Sequence, residues 1–338
     1  MIGRLTEGAS GKTLVLATAL LGVLVVLPWL AGDYIVTVMI TILYFAYVGQ
    51  AWNIMMGFAG QLSLGHALYV GLGAYTAAAL FVHFGVCPWI GAIAAVAISA
   101  AAAACIGFLA FRFGVGGVYF AILTIAFAEF ARIGFDHWRW IGGSAGFFLP
   151  VASYDGNDLW NLRGSPTMFY YVLLALTVFA FLLCRMLMAG RTGYYWLAIR
   201  ESADAAEALG INLFRYRMYA VMISGGLSSL GGVVIAFYYN NLFPEQIFHI
   251  SQSIELILGP IIGGIGTLFG PLVGAFLLTA LAEVLREAMH ALGVELPGVK
   301  QVFYGICLLV VVIFLPHGIW PPIRKALGLG SRRAGGGG

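Results

Sequence analysis

Residues 89–111 read WIGAIAAVAISAAAAACIGFLAF, a stretch without a single charged side chain. A helix of about 20 apolar residues, rising ~1.5 Å per residue, crosses a hydrocarbon core of about 30 Å. The stretch therefore predicts a membrane-spanning helix. Nine further apolar runs lie at 14–31, 34–56, 67–84, 115–135, 168–187, 219–239, 254–266, 269–286 and 301–316.

The ten runs predict an all-α polytopic membrane protein with about ten transmembrane helices and Gly-broken segments, built as one transmembrane domain over residues 1–338. The run at 254–266 is too short to span on its own, which leaves open whether it is a span or a half-helix. The run at 14–31 is longer than the apolar region of a typical signal peptide, and no Ala-x-Ala site follows it. We interpret it as a retained first helix.

The composition excludes several classes of protein. Of the 338 residues, 62% are hydrophobic and 9% are charged, and the mean hydropathy is +0.97. Soluble domains carry about 25% charged residues, so lipid has to cover much of this surface. A cytosolic enzyme, a disordered chain and a nucleic-acid-binding protein are excluded. The net charge of +3 is too small to indicate a polyanionic partner.

Residues that could carry chemistry are scattered along the chain. The four cysteines stand at least 18 positions apart, and the six histidines lack the i, i+4 spacing that binds one metal from one helix. Residues 8–13, GASGKT, resemble half of a phosphate-binding loop but lack its first glycine and a preceding strand. We predict no catalytic residue, no metal and no cofactor, so energy for uphill work would come from ions or from a partner.

The basic residues predict the orientation of the chain. Ten crossings place both termini on one side, and by the positive-inside bias the side richer in Lys and Arg is the cytoplasm. Of the 17 basic residues, 12 fall there. They are Arg4, Lys12, Arg112, Arg185, Arg191, Arg200, Arg215, Arg217, Arg324, Lys325, Arg332 and Arg333.

Two hydrophilic segments are long enough to do more than connect spans. The outer one covers 136–167 and is rich in Gly, Trp and Asp. The inner one covers 190–218, and we expect in it one short amphipathic helix over 198–211, with Gly210 as its left-handed C-terminal cap. The charged face would hold Arg200, Asp204 and Glu207, and the small-residue face Ala198, Ser202, Ala205 and Leu209. Two alternatives have equal support: this helix inserts into a groove of a cytoplasmic partner, or it only connects two spans.

Two apolar stretches are interrupted by glycine. The first covers 57–66 and the second 259–274, and paired broken helices in two halves of a chain are typical of a transporter's substrate region. Polar side chains at membrane depth suggest a path through the bundle, although hydrogen bonds that only hold helices together are at least as good an interpretation. The candidate path and hinge residues are Gly60, Gln61, Ser63, Gly65, His66, Gly263, Gly264, Gly266, Thr267, Gly270 and Pro271.

A further pair of charges lies near the outer end of the fifth run. Glu129 and Arg132 are three residues apart and so share one face of a helix. A lone charge at the centre of a membrane costs about 2.5–3.5 kcal/mol on an insertion scale, so we expect the two to pair. A structural ion pair is the first interpretation, and a wall of the translocation path is the second.

Four motifs, in this order, resemble the LivM-type permeases of branched-chain amino acid ABC importers over roughly 34–320. They are 60–66 with 73–75; 119–124 with 127–129; 142–146; and 263–271. The inner loop resembles the coupling motif of the family through Asp204, Ala205, Ala206 and Gly210, beside Arg200 and Glu201. Asp204 stands where an acidic residue is expected, although Glu is commoner there.

The resemblance implies a subunit without chemistry of its own in the bacterial inner membrane. The implied partners are a sister permease in a heterodimer, two ABC ATPases that bind the ATP, a periplasmic substrate-binding protein and membrane lipid, but no nucleic acid. The implied solutes are branched-chain or other hydrophobic amino acids, urea, amides or aromatic acids. The alternative is a stand-alone ion-coupled transporter or channel, which needs acids at mid-membrane; its candidates are Glu129, Glu255 and Glu283. A membrane-embedded enzyme would need clustered catalytic groups, and the sequence shows none.

Overall fold

A helix covers each of the ten predicted runs in the computed structural model, which describes residues 11–150, 156–291, 298–315 and 317–326. The helices are α1 (Gly11–Leu30), α2 (Asp33–Asn53), α3 (Ala67–Phe84), α4 (Pro88–Arg112), α5 (Val118–His137), α6 (Pro166–Ala189), α7 (Arg191–Glu201), α8 (Ala203–Ala208), α9 (Leu213–Tyr239), α10 (Pro244–Ile247), α11 (Ile250–Gly263), α12 (Gly270–Ala291), α13 (Val299–Phe314) and α14 (Trp320–Ala326). A π-helical turn, Ile54–Phe58, prolongs α2. Strands β1 (Phe147–Phe148) and β2 (Asn241–Leu242) pair antiparallel.

This architecture confirms the all-α membrane fold. Within the described residues, six helices are long and apolar enough to cross a membrane. They are Asp33–Phe58, Ala67–Phe84, Pro88–Arg112, Val118–His137, Pro166–Ala189 and Leu213–Tyr239. The other four predicted spans coincide with α1, α11, α12 and α13, and their crossing of the membrane stays a prediction.

Helices α2 and α9 form the centre of the bundle. Helix α9 packs against α2, α3 and α4, while α2 also packs against α6, α11 and α12. Glycines make the close approach of α9 possible, since a Cβ on Gly232 would overlap the carbonyl oxygen of Val70. Around this centre, α4, α5, α12 and α13 expose large apolar side chains on the outside of the bundle.

Helix α3 begins inside the bundle, and the first turn of α11 contacts its start. His66, at the start of α3, contacts Ser224 near the middle of α9, and the backbone nitrogen of Ala67 donates to Ser253 Oγ in the first turn of α11, at 3.0 Å. Helix α11 has 14 residues. At ~1.5 Å per residue it reaches about 21 Å, less than a hydrocarbon core. Its length is that of a half-helix.

Some predictions concern residues outside the described ranges. The orientation of the termini depends partly on residues 1–10 and 327–338, which also include the Gly-rich tail. Residues 151–155 of the outer segment are likewise outside the described part of the chain.

Candidate functional site

The two Gly-broken segments meet at the end of the bundle that is predicted to be cytoplasmic. Asn53, the last residue of α2, donates from Nδ2 to the carbonyl oxygen of Thr267 at 2.9 Å. Its Oδ1 accepts from the backbone nitrogen of Gly266 at 2.8 Å. One turn earlier, Gln50 Nε2 donates to the carbonyl oxygen of Leu268 at 2.6 Å. One face of α2 therefore holds the loop 264–269 that joins α11 to α12.

Arg200 joins the inner loop to the same place. Its Nη1 donates to the carbonyl oxygen of Gly57, in the π-helical turn at the end of α2. A Cβ on Gly57 would lie 2.7 Å from the nitrogen of Gly266, so the two broken segments are in contact here. We name the junction formed by Asn53, Gly57, Arg200, Gly266 and Thr267 the broken-helix junction. It brings three predicted site residues, Arg200, Gly266 and Thr267, within hydrogen-bonding distance of α2.

The predicted path residues of the first segment are packed in protein. Gln61, Ser63 and His66 are at most 5% exposed. The ring of His66 lies 3.3 Å from Ser63 Oγ and 3.0 Å from Ser224 Oγ. Because the Ser224 hydroxyl donates its proton to the carbonyl oxygen of Ala51 at 2.7 Å, we assign the His66 proton to Nε2 and its acceptor role to Nδ1. The His66 ring thus joins the start of α3 to α9, and the assignment of these three residues to a path stays a prediction.

The backbone of this segment is also fixed. Trp52 Nε1 donates to the carbonyl oxygen of Ser63 at 2.8 Å, and the nitrogen of Leu64 donates to Thr124 Oγ1 at 3.1 Å. Gly65 lies so close to α5 that a Cβ would overlap the carbonyl oxygen of Thr124. Thr124 and Ser224 were missed as site residues, although the motif at 119–124 contains the former.

The second segment is less enclosed. Gly266 and Thr267 are partly exposed, whereas Gly263, Gly264, Gly270 and Pro271 are buried. Thr267 Oγ1 donates to the carbonyl oxygen of Gly264 at 2.8 Å and accepts from the nitrogen of Gly270 at 3.0 Å. This hydroxyl closes the turn before α12.

The inner loop differs from its prediction. A single helix over 198–211 is wrong, because Ser202 has an extended backbone (φ −157°, ψ 108°) and separates α7 from α8. Its side chain accepts from the nitrogen of Ala205 at 3.3 Å and so caps α8. The predicted charged face is divided between two helices, because Arg200 belongs to α7 and Asp204 to α8. The left-handed conformation expected of Gly210 is confirmed, with φ +83°.

Helix α8 presents one exposed and one buried side. Ala206 is buried, and Trp196 of α7 is fully buried and donates from Nε1 to the carbonyl oxygen of Tyr216 at 2.8 Å. Asp204 and Ala205 are exposed, and the side chain of Leu209 is 81% exposed. An apolar side chain thus stands free on a loop that α7 anchors to the bundle.

Glu129 and Arg132 form an ion pair on α5, with 2.6 Å between Oε1 and Nη2. The carboxylate side chain is 46% exposed. Large apolar side chains of the same helix are exposed around it, namely Val118, Tyr119, Ile122, Phe130 and Ile133. The pair therefore lies on an open apolar face.

A cavity of about 330 Å³ opens at the other end of the bundle. Its wall combines aromatic rings, Tyr44 and Phe45, with the polar side chains of Gln246, Gln252 and Glu255. Glu255, a candidate of the ion-coupled alternative, thus lines this cavity. Glu283, another such candidate, pairs with Arg286 at 2.6 Å.

The predicted outer segment begins with short 3-10 turns and the β1–β2 pair. Asp158 accepts hydrogen bonds on Oδ1 from the nitrogen of Trp160 at 3.0 Å and on Oδ2 from Asn161 Nδ2 at 2.7 Å. These hydrogen bonds, led by the one from the Asn161 side chain, lower the pKa of the Asp158 carboxyl. Trp140 and Trp160 are 48% and 68% exposed.

Comparison of the sequence with known proteins identifies the family. A family model described as the permease component of branched-chain amino acid transport systems matches residues 34–312. The LivM permease of the high-affinity branched-chain amino acid transport system of Salmonella typhimurium is 26% identical over 98% of this chain and 80% of its own. The autoinducer 2 import permease LsrC of Enterobacter sp. is 30% identical over 56% of this chain and 54% of its own. No solved structure matches.

These relatives are transport permeases and not enzymes, and the apolar helices agree with a multi-pass inner-membrane protein. The match at 34–312 begins after α1 and includes both broken segments. The chain belongs to the family of branched-chain amino acid transport permease components.

Proposed function

We propose that this chain forms half of the translocation path of an ATP-driven importer in the bacterial inner membrane. A sister permease supplies the other half in a heterodimer, two ABC ATPases bind ATP on the cytoplasmic side, and a periplasmic binding protein delivers the solute. The solute is a branched-chain or other hydrophobic amino acid, or a related small solute such as urea, an amide or an aromatic acid. Both termini lie in the cytoplasm.

The observation that carries the proposal is the exposed side of α8. Leu209, Ala205 and Asp204 are exposed on the loop that is predicted to lie in the cytoplasm. A short helix with a free apolar side chain and small neighbours suits a groove on a partner protein. The buried Trp196 and Ala206 hold this helix on the bundle. A push on α8 is therefore passed to the spans, as ATP-driven transport requires.

Helix α5 supports a path beside a second subunit. A charge at the hydrocarbon centre costs about 2.5–3.5 kcal/mol, so a half-exposed carboxylate is better placed facing water or protein than lipid. Glu129 and Arg132 stand on such an exposed face. We assign this face of α5 to the path between the two permeases. The ion pair leaves no net charge there, which suits a neutral or zwitterionic solute.

The partners are tested by purifying the tagged chain from native membranes in mild detergent and identifying the accompanying proteins by mass spectrometry. The proposal predicts a second permease and ABC ATPases in near-equal amounts. A chain that purifies alone or only with copies of itself would contradict it and make ion-coupled transport the better account.

The α8 contact is tested by Ala205→Glu and Gly210→Pro. Glutamate adds a charge and bulk to the exposed side, and proline cannot adopt the left-handed φ of Gly210. Both variants should insert into the membrane yet lose ATPase binding and uptake. Gly116→Glu is the matched control, because it adds the same charge between α4 and α5, where a Cβ meets nothing within 4 Å. Full uptake by Ala205→Glu would sink the α8 assignment.

A further inference from the structure

Arg200 is an exposed residue of the inner loop that nevertheless contacts the spans. Its Nη1 donates to the carbonyl oxygen of Gly57 in the π-helical turn, while its Nη2 lies 3.3 Å from Glu201 Oε1. We propose that Arg200 is a positioning residue that ties α7 to both Gly-broken segments, so that a displacement of α8 moves them together. The inference rests on the proposed function and specifies how the inner loop acts on the spans.

The first argument is electrostatic. Carbonyl groups at the end of a helix lack partners within the helix and carry its negative dipole end, so a cation there is stabilising. Gly57 lies in the last turn of the helical segment that begins at Asp33, and Arg200 supplies that cation. π-Helical turns are frequently found at functional sites, because their backbone is less tightly constrained than an α-helix.

The second argument is steric. The aliphatic part of Arg200 packs on Gly60, where a Cβ would lie 3.0 Å from Arg200 Cγ and 3.3 Å from its Cα. Gly60 has φ +71°, a left-handed conformation that ends the π-helical segment. Arg200 is thus held at its stem by Gly60 and at its head by Gly57. If the backbone of Arg200 moves, the π-helical turn moves with it.

The third argument is that the second broken segment is part of the same contact. Arg200 Nη1 lies against Gly266, close enough to overlap a Cβ added there. Asn53 binds Gly266 and Thr267 of the same loop. The loop 264–269 therefore contacts both the end of α2 and the Arg200 side chain. Displacing Arg200 changes the support of both segments at once.

The position of Arg200 in the chain suits this role. It is two residues before Ser202, the extended residue that separates α7 from α8, and four residues before Asp204. Arg215 of the same loop is exposed as Arg200 is, but it donates from Nε to Tyr219 Oη at 2.8 Å, within its own helix. Arg200, by contrast, bridges segments 143 residues apart in the sequence.

The test uses the complete transporter reconstituted in proteoliposomes, with solute uptake and ATP hydrolysis measured on the same preparation. Arg200→Ala should lower uptake by about 10-fold while hydrolysis changes by less than about 2-fold, since the coupling and not the ATPase is lost. Arg200→Lys keeps the charge but not the planar guanidinium, and should recover part of the uptake. Arg215→Ala is the control and should leave the ratio of ATP hydrolysed to solute moved unchanged.

Two results would overturn the inference. One is an Arg200→Ala transporter with the wild-type ratio of ATP to solute. The other is a parallel fall of uptake and hydrolysis with loss of subunits from the complex, because that is the result of a merely structural residue. Failure of the proposed function is distinguishable from both, since the wild-type complex itself would then take up none of the hydrophobic amino acids, urea, amides or aromatic acids offered.

Discussion

The two Gly-broken segments have similar sequences but different surroundings. In the first, 59–66, side chains at positions 61, 63 and 66 are buried, and Trp52, Thr124 and Ser224 bind it from three helices. The second, 264–269, is partly exposed and is held mainly by amide side chains at the end of α2. The first is part of the core. The second is a loop held by a few hydrogen bonds. When α8 displaces both segments, we expect the first to move as part of the core and the second to change its hydrogen bonds.

The largest effect is expected where the first segment is most tightly packed. Gly65→Val places a Cβ on the carbonyl oxygen of Thr124, a backbone atom that cannot turn away. We expect a loss of about 4 kcal/mol or more, because overpacking against backbone belongs to the severe class of substitutions. The yield and melting temperature of the purified chain would show it. Gly134→Ala in α5, where a Cβ meets nothing within 4 Å, is the control and should melt like the wild type.

The next effect concerns the bond between the two segments. Asn53→Ala removes two hydrogen bonds to the second segment and leaves both backbone partners unpaired. The expected cost is about 2–4 kcal/mol, seen as a lower melting temperature and faster hydrogen exchange at 264–269. Gln50→Ala breaks only one such bond and should cost about half as much. Equal effects of the two substitutions would show that the loop is not held chiefly by Asn53.

A smaller effect is expected within the second segment. Thr267→Val keeps the shape of the side chain but removes both hydrogen bonds of its hydroxyl. We expect a loss of about 1–2 kcal/mol and a lowered uptake rate. Thr267→Ser restores the hydroxyl and should restore both properties. If Val and Ser behave alike, the hydroxyl does not close this turn.

The smallest effect is expected outside both segments, at Gly210. Its φ of +83° strains any residue with a Cβ, but nothing lies within 4 Å of the position. Gly210→Ala should cost about 1 kcal/mol, and Gly210→Asn clearly less, because asparagine tolerates the left-handed region. If the Gly210→Asn variant takes up solute at close to the wild-type rate, the effect of Gly210→Ala is due to backbone strain and not to a side-chain clash. A poor Asn variant would mean that a partner packs on this glycine.

The helices of the fold could be predicted because the sequence feature that marks them, a long apolar run, is local. Apolar length alone marks a membrane helix, so every predicted run is a helix in the structure. The left-handed cap at Gly210 could be predicted for the same reason, because it depends only on the neighbouring end of α8.

In the inner loop, the prediction of a single helix gave too much weight to helix-forming residues and too little to a capping serine. The helix-forming residues of 198–211 favour one helix, but Ser202 caps a second one through Ala205. A serine before Ala203 and Asp204 is an N-terminal signal, and it could have located the break.

The candidate site was predictable only in parts. The glycines marked both broken segments, yet nothing local shows that Asn53 binds Thr267, 214 residues away, or that Arg200 binds Gly57. Burial was the other unknown. Gln61, Ser63 and His66 have the polarity of path residues, but packing against Ser224 and Trp52 encloses them.

The comparison of the two segments is tested most directly by hydrogen exchange of the complete transporter in nanodiscs, with and without ATP. Exchange is followed by mass spectrometry in peptides that cover 59–66 and 264–269. The account predicts that ATP changes exchange at 264–269 while 59–66 stays protected in both states. Protection that changes at 59–66 and not at 264–269 would contradict it, because the core segment would then be the one whose hydrogen bonds open.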